Sequence, residues 1–422
     1  MQVRSAEVAI IGAGPAGAHL ASRLAAEGRD VVLFDPKGAW EKPCGGGVPT
    51  RAIREFAFIL ESSNYPRRLV RQITMISPMD RHVTLTLDEP FAVYSRQVLN
   101  GLVLDRAIEA GAGFIREGVS DFARKPDGWT ISTDGGNQWR VRFLVGADGA
   151  ASFTRRRLVG IFPKQDLALA FGYNITCADT GDARPSNGNG AHRSEPAMDE
   201  VVVRFPKDFT GYLWAFPRPG AMNFGVASKL GERTSNELRT LLTDFVRGYY
   251  GGHMPDPDRV SFFGAKIPTL DLASWKDLKT TGDGWALIGD AAGFADPITG
   301  EGIYYAFKSA DLLADALDSA KGTFNTHDKG QTANGSSSIY LRATSSYEMM
   351  WREAFGRDLE HASLRLPQFY HGFFFGRVFT DATIRLARRH RGVRTILVRA
   401  LTGDQSYVTL KRDLLRRAWQ IF

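Results

Sequence analysis

The feature that most constrains this 422-residue chain lies at its start. Residues 7–11 (EVAII) form a short β-branched run that enters the turn Gly12-Ala13-Gly14-Pro15-Ala16-Gly17. An alanine-rich, helix-compatible segment follows and ends at Gly28; a second apolar run, DVVLFD, closes on Asp35. The glycines have distinct tasks: Gly12 permits a tight turn, Gly14 lets backbone approach a pyrophosphate, and Gly17 lets the helix pack close to the strand. The helix start offers free N–H groups and a positive dipole end to phosphate. Asp35 stands 18 residues after Gly17, near the spacing of a carboxylate that accepts from ribose hydroxyls. A glycine fingerprint alone is weak, but strand, turn, helix, strand and acid together predict a dinucleotide-binding α/β fold. The competing reading of Asp35 is an ordinary strand-end acid.

Composition narrows the class. With 43% apolar and 23% charged residues the chain reads as soluble and globular, which excludes disordered, collagenous and coiled-coil chains. At ~150 residues per domain, two or three domains are expected. No long uncharged apolar window predicts a transmembrane helix. The apolar N-terminal run ends in the glycine turn, so it reads as a buried strand and not a signal peptide. Two distant cysteines, Cys44 and Cys177, exclude an iron–sulfur cluster, a Cys-type zinc site and a disulfide framework, and fit a reducing cytoplasm. The eight histidines show no HxxxH or HxH spacing, so no metal site is expected. The net charge of +7 resides in residues 381–422, where ten Lys/Arg face three Asp. Interleaved Ile, Leu, Val and Trp419 make this tail suitable for peripheral contact with an anionic membrane. The competing reading is a solvated helix face. No nucleic-acid-binding motif accompanies the charge, so no nucleic-acid partner is expected.

Two later segments separate FAD from NAD. FLVGADGAAS places Asp148-Gly149 after a strand, and WALIGDAAGFADPITGEG places Gly289-Asp290 after another, with a helix opening near Gly302. GxGxxG, a central DG and a late GD in this order resemble the flavoprotein group typified by aromatic hydroxylases. The resemblance implies that Asp290 bonds the ribityl chain, that Asp148-Gly149 lies beside the pyrophosphate, and that the helix after Thr299-Gly300-Glu301-Gly302 points its N–H groups at the flavin N1–C2=O edge. Such a helix start would stabilise negative charge on reduced flavin. Pro15, Ala16, Val119, Pro297 and Ile303 are further cofactor contacts implied by it. Arg96, in YSRQVLNGLVLDRAIEAGA, resembles the arginine of the group's R-x-x-(F/L)-(D/N)-x-x-L helix and would neutralise cofactor phosphate; its competing reading is a surface salt bridge. Asn100 stands where Asp is commoner.

The subfamily signal is KPCGGGV, residues 42–48. Three successive glycines cost ordering entropy, so Gly45, Gly46 and Gly47 read as backbone squeezed against a flat ligand. This P-C-G-G signature, with Gly211–Pro217 (GYLWAFP) matching a Y-x-W-x-F-P motif and the ending LTGDQSYVTLKR, is similar to the geranylgeranyl reductase family. Tyr212, Trp214 and Phe216 alternate, so on a strand they share one face; that face is expected to wall an apolar substrate cavity beside the flavin. The alternative is an ordinary core face. Cys44, nearest the flavin by resemblance, is the expected proton donor in hydride addition to an apolar alkene; the alternative is a small residue packed on the ring. Tyr212 is a weaker acid candidate, and Cys177 reads as structural.

The expected function is FAD-dependent reduction of carbon–carbon double bonds in an isoprenoid or lipid-like substrate, with NAD(P)H or ferredoxin as electron donor. The expected place is the cytoplasm, peripheral to a membrane. The rivals are a flavin monooxygenase, a halogenase and a noncatalytic flavin-binding protein. Residues 43–124 contain no lysine to carry a hypohalous species, which argues against the halogenase. The expected architecture is a Rossmann-like FAD-binding domain from residues 1–70, 90–165 and 275–321, a β-sheet substrate domain from 71–89 and 166–274, and a helical region over 340–422. Residues 180–200 and 322–338 read as polar inserted loops.

Overall fold

A computed structural model describes residues 3–177, 198–322, 334–374 and 376–419. The expected loop at 180–200 lies almost wholly outside these residues, as does most of 322–338, although a helix already begins at Asn334. The chain divides into two compact units.

The first unit comprises Met1–Glu41, Gln97–Asp166 and Pro268–His361. Its sheet contains, side by side, Gly113–Ile115, Val31–Phe34, Arg4–Ile11, Gln138–Gly146, Trp285–Leu287 and Thr281–Gly282, and the hairpin Val119–Lys125/Gly128–Thr133 joins it at Gln138–Gly146. The first five run parallel, with Ile11 beside both Phe34 and Gly146, and Leu287 beside Gly146. Their near-continuous apolar character follows from burial on both faces, as parallel sheets require. The helix Pro15–Ala26 buries Ala16, Gly17, Ala18, His19, Leu20, Ala21 and Leu24. It is clamped to Ile303–Gly322 through Asp311, which accepts from Arg23 Nη1 at 2.6 Å and pairs with His19 Nε2 at 2.9 Å.

The second unit comprises Lys42–Arg96, Leu167–Ile267 and Ala362–Phe422. Its eight-stranded sheet runs Val260–Ile267, Ala168–Thr176, Ala221–Lys229, Gly211–Arg218, Glu200–Arg204, Arg67–Ile76, His82–Tyr94 and Gly47–Val48. All pairings are antiparallel except that of Glu200–Arg204 with Arg67–Ile76. One face buries Phe171, Ile175, Leu213, Ala215, Phe224 and Val226 against Leu238, Leu242, Phe245 and Val246 of helix Ser235–Tyr249. A Thr234–Glu237 capping box starts that helix. Cys177 packs at the edge of this core.

These units divide the chain differently from the sequence boundaries. Residues 42–70 cluster with the second sheet because Gly47–Val48 and Arg67–Ile76 both pair with His82–Tyr94. The expected helical region over 340–422 also splits. Tyr347 and Trp351 donate to Leu287 O and Thr280 Oγ1 in the first unit, at 3.0 Å each. Helices Phe379–Arg389, Arg391–Thr402 and Tyr407–Trp419 belong to the second. There Asp381, 2% exposed, accepts from Ser77 Oγ at 2.8 Å and from Arg81 Nη1 at 2.7 and 2.6 Å. No described helix is long and apolar enough to cross a membrane.

The clamp at Asp311 makes stability depend on pH. Burial raises its carboxyl, but His19 and Arg23 outweigh this, so the net shift is downward. The stabilisation is present above the unfolded value, ~3.9, and is lost as pH falls through the lower folded value. Asp311→Asn should cost about 1–3 kcal/mol at neutral pH, and the difference from the parent should shrink below pH ~4. Urea unfolding at neutral and acidic pH measures both.

Candidate functional site

The three sequence signatures converge in the first unit at the carboxyl ends of adjacent parallel strands. Gly12 follows Ile11, Ala147-Asp148 follow Gly146, and Gly289-Asp290 follow the Trp285–Leu287 strand by one residue. Asp35 directly follows the neighbouring strand Val31–Phe34. This end of an open parallel sheet is where such folds hold ligands.

Close packing fixes the loops. Gly12 has φ +105, and a Cβ there would lie 2.5 Å from Ala147 O; a Cβ on Gly17 would lie 1.9 Å from Gly12 O. Gly14 differs: a Cβ there would meet nothing within 4 Å. Gly14 is also the N-cap of helix Pro15–Ala26, makes no side-chain capping bond, and is followed by no acid in the first turn. An uncapped helix start beside open space fits a pyrophosphate. Gly289, at φ +56, lies against this helix, with its Cβ position 3.0 Å from Ala16 Cβ.

The carboxylates divide their work. Asp35 accepts from Ala13 N at 2.9 Å, Lys37 N at 2.8 Å and Gly38 N at 3.0 Å, which ties the glycine turn to the second strand. Three of about four acceptor positions therefore serve backbone, leaving little capacity for ribose. Asp148 accepts from Ser152 Oγ and from Thr154 N and Oγ1. Burial pushes its carboxyl up, against these bonds. Asp148 thus shapes its turn, while Gly149, at φ +80, supplies the reversal. Arg155, drawn down to about 10 by burial against the pull of Asp166, reaches Ala291 O at 3.5 Å and joins the DG and GD loops.

Asp296 shapes the loop before helix Ile303–Gly322 by accepting from Ile298 N at 2.8 Å and Thr299 N at 3.0 Å, while Gly300 takes φ +69. Pro297 and Gly302 flank this turn. Glu301 Oε1 takes Tyr304 N at 2.7 Å, so one first-turn amide expected to face flavin is already satisfied. Sequence reading missed this cap; an acid two residues before the helix is its signal. Arg96 is 4% exposed at the start of helix Arg96–Glu109, so it is not a surface residue. Val119 begins a hairpin strand just after Gly118, whose Cβ position lies 3.8 Å from Pro36 Cγ.

The second unit assembles the subfamily motif. Tyr212, Trp214 and Phe216 share one face of strand Gly211–Arg218, with ring centroids 5.8 and 6.3 Å apart. Gly225 opens space for the indole, since a Cβ there would stand 2.0 Å from Trp214 Cζ2. The glycine run lies on this ladder: a Cβ on Gly45 would come within 3.0 Å of Phe216, and one on Gly47 within 2.6 Å of Phe91. Gly46, at φ +80, fits under Tyr94 O. Phe216, Phe91 and Tyr94 O thus leave no room for a side chain at these three glycines.

A buried polar chain supports the ladder. Trp214 Nε1 donates to Asn223 Oδ1 at 2.7 Å, and Asn223 Nδ2 to Asn174 Oδ1 at 2.6 Å. Arg218 Nη1 donates to Asn174 Oδ1 at 3.2 Å and Nη2 to Cys44 O at 2.6 Å. Gly46 N donates to Cys44 Sγ at 3.3 Å. Arg218, Asn174 and Asn223 escaped sequence reading; polar residues placed among apolar strand positions were their only signal.

An FAD-binding-domain family model matches residues 5–177. The chain is 30% identical over 320 residues to geranylgeranyl diphosphate reductase of Rhodobacter capsulatus, covering 73% of each chain. It is 29% identical over 340 residues to menaquinone reductase of Mycobacterium tuberculosis, covering 75% of this chain and 77% of that one. The fold resembles the crystal structure of a geranylgeranyl bacteriochlorophyll reductase-like protein from Thermoplasma acidophilum, with TM-score 0.73, 19% identity, and coverage of 98% and 100%.

The glycine geometry predicts separable effects. Gly14→Val should leave the apo-protein melting temperature nearly unchanged yet weaken FAD binding at least tenfold, read by flavin fluorescence titration. Gly17→Ala should destabilise the apo-protein itself, since its Cβ has no space. The uncapped glycine turn, the convergent strand ends and the sequence relationship lead to one conclusion: the chain belongs to the geranylgeranyl reductase family of FAD-dependent oxidoreductases.

Proposed function

We propose that this enzyme reduces carbon–carbon double bonds of an apolar isoprenoid or similar lipid-like substrate. The names of the R. capsulatus and M. tuberculosis relatives support a polyprenyl-bearing substrate. The observation that carries the reading is the Cys44 turn seated on the Trp214–Phe216 ladder and held by Arg218.

Bound FAD supplies hydride, with Gly12–Gly17, the Asp148-Gly149 turn, Gly289-Asp290, the Pro297–Ile303 segment, Arg96 and Val119 as its proposed contacts, and NAD(P)H or ferredoxin as the source of electrons. An isolated alkene is not polarised by a neighbouring carbonyl, so its second carbon needs a proton almost simultaneously. In this reading Cys44 gives that proton. Gly46 N–H donates to Sγ at 3.3 Å and Arg218 donates to Cys44 O, so the turn that carries the thiol is held from both sides. The thiolate recovers its proton from water after the product has left. Tyr212, Trp214 and Phe216 exclude water from the substrate, and the basic C-terminal region gives peripheral contact with a membrane that holds it.

Cys44→Ala should retain FAD and lose alkene reduction at least tenfold; unchanged turnover would remove Cys44 from the mechanism. The assay is anaerobic incubation of the dithionite-reduced enzyme with prenyl diphosphates and prenylated quinones, with flavin reoxidation and product mass followed together. A gain of two mass units is expected. A gain of sixteen, obtained only in air, would instead identify a monooxygenase.

A further inference from the structure

The C-terminal helix Tyr407–Trp419 carries its charge in a pattern. Val408, Lys411, Arg412, Leu415 and Arg416 recur at i, i+3, i+4, i+7 and i+8, which places them on one helix face. Leu414, 2% exposed, anchors a different side of the helix. The patterned face borders a groove of about 590 Å³ whose remaining lining residue is Arg365, from helix Arg357–His371. The lining is four cations and two aliphatic residues, with no carboxylate.

We propose that this groove binds the phosphate of an anionic membrane lipid. The assignment rests on the peripheral-membrane reading above and gives it a specific site. Four cations around one groove repel one another unless an anion lies among them. Arg365 Nη1 donates to Gln368 Oε1 at 3.0 Å, but its buried Nε has no hydrogen-bond partner among the described residues. Asp413 lies beside the groove without lining it; its carboxylate accepts from Gln405 at 3.0 Å and sits 3.5 Å from Arg412 Nε. It offsets part of one charge.

The occupant follows from the mixture. Lys411, Arg412 and Arg416 are exposed, so they meet phosphate at a surface and not in an enclosed cavity. Val408 and Leu415 stand on the same face and present alkyl surface next to the cations. Helices that lie in a membrane interface combine basic and apolar groups in this way. A soluble inorganic anion would gain nothing from the aliphatic pair.

Flotation of the full-length, flavin-loaded protein tests the site, with phosphatidylcholine vesicles containing about 30% phosphatidylglycerol and with neutral vesicles. The parent should partition to the anionic vesicles only. Changing Lys411, Arg412 and Arg416 together to Gln should reduce partitioning at least tenfold. Changing Arg385, Arg388 and Arg389 together to Gln removes equal charge from another helix and should alter it less than twofold, with melting curves verifying that both variants fold. Equal losses in the two variants would overturn the groove and leave the membrane reading standing. Failure of the parent to partition would overturn both. Calorimetric binding of inorganic diphosphate that depends on the three groove residues, without vesicle binding, would overturn the lipid assignment in favour of a soluble phosphate.

Discussion

The nucleotide end depends on the absence of two side-chain carbons. Gly17 brings the first helix so near the first strand that a methyl group would stand 1.9 Å from Gly12 O, and Gly12 brings the first strand's exit so near Ala147 that a methyl group would stand 2.5 Å from Ala147 O. Their closeness, with the parallel pairing of Ile11 and Gly146, sets three loops side by side. Hydrogen bonds then hold what sterics permits: Asp35 the first loop, Asp148 the second, Ser309 Oγ the third through Gly289 N at 3.0 Å. Asp35 spends most of its capacity on backbone donors, and Asp148 spends its own on Ser152 and Thr154. Main-chain N–H groups and a helix dipole at the Gly12–Gly17 turn both suit phosphate.

The second unit uses glycine for another purpose. Gly45, Gly46 and Gly47 accommodate aromatic rings and a carbonyl, and Gly225 accommodates an indole. The sheet therefore carries large rings on Gly211–Arg218 with small residues on the facing strands, while its opposite face is filled by helix Ser235–Tyr249. A buried guanidinium is expensive unless hydrogen-bonded. Arg218 meets that requirement through Asn174 and the Cys44 carbonyl, so the cation also positions the turn before the strand Gly47–Val48.

Much of this was legible in the residues because it concerns local chemistry. The run from Glu7 to Asp35 states strand, turn, helix and strand in periodicity and glycine spacing alone, and the alternation of Tyr212, Trp214 and Phe216 states a shared face. What was hidden depended on partners distant in sequence. Nothing local to residues 42–70 says that Gly47–Val48 pairs with His82–Tyr94, which takes that segment into the other unit. The task of Gly45 is set by Phe216, some 170 residues later. Arg218 was invisible because a basic residue at a strand end ordinarily faces water.

The basic C-terminal helices and the Cys44 turn belong to one compact unit. Helix Thr50–Glu55, shortly after Cys44, is tied to the loop before the last helix: Arg51 Nη1 donates to Gly403 O at 3.2 Å and Arg54 Nη1 to Asp404 Oδ1 at 3.0 Å. Exposed pairs of this kind contribute little individually, but Asp381, clasped by Ser77 and Arg81, adds a buried attachment to the same sheet. Its cost of desolvation makes separation from both partners unfavourable. Charge on the last helices is therefore not carried by a loose tail. It belongs to the same compact unit as the strands that hold Trp214 and Arg218, so an anchored C-terminal helix would orient the aromatic face along with it.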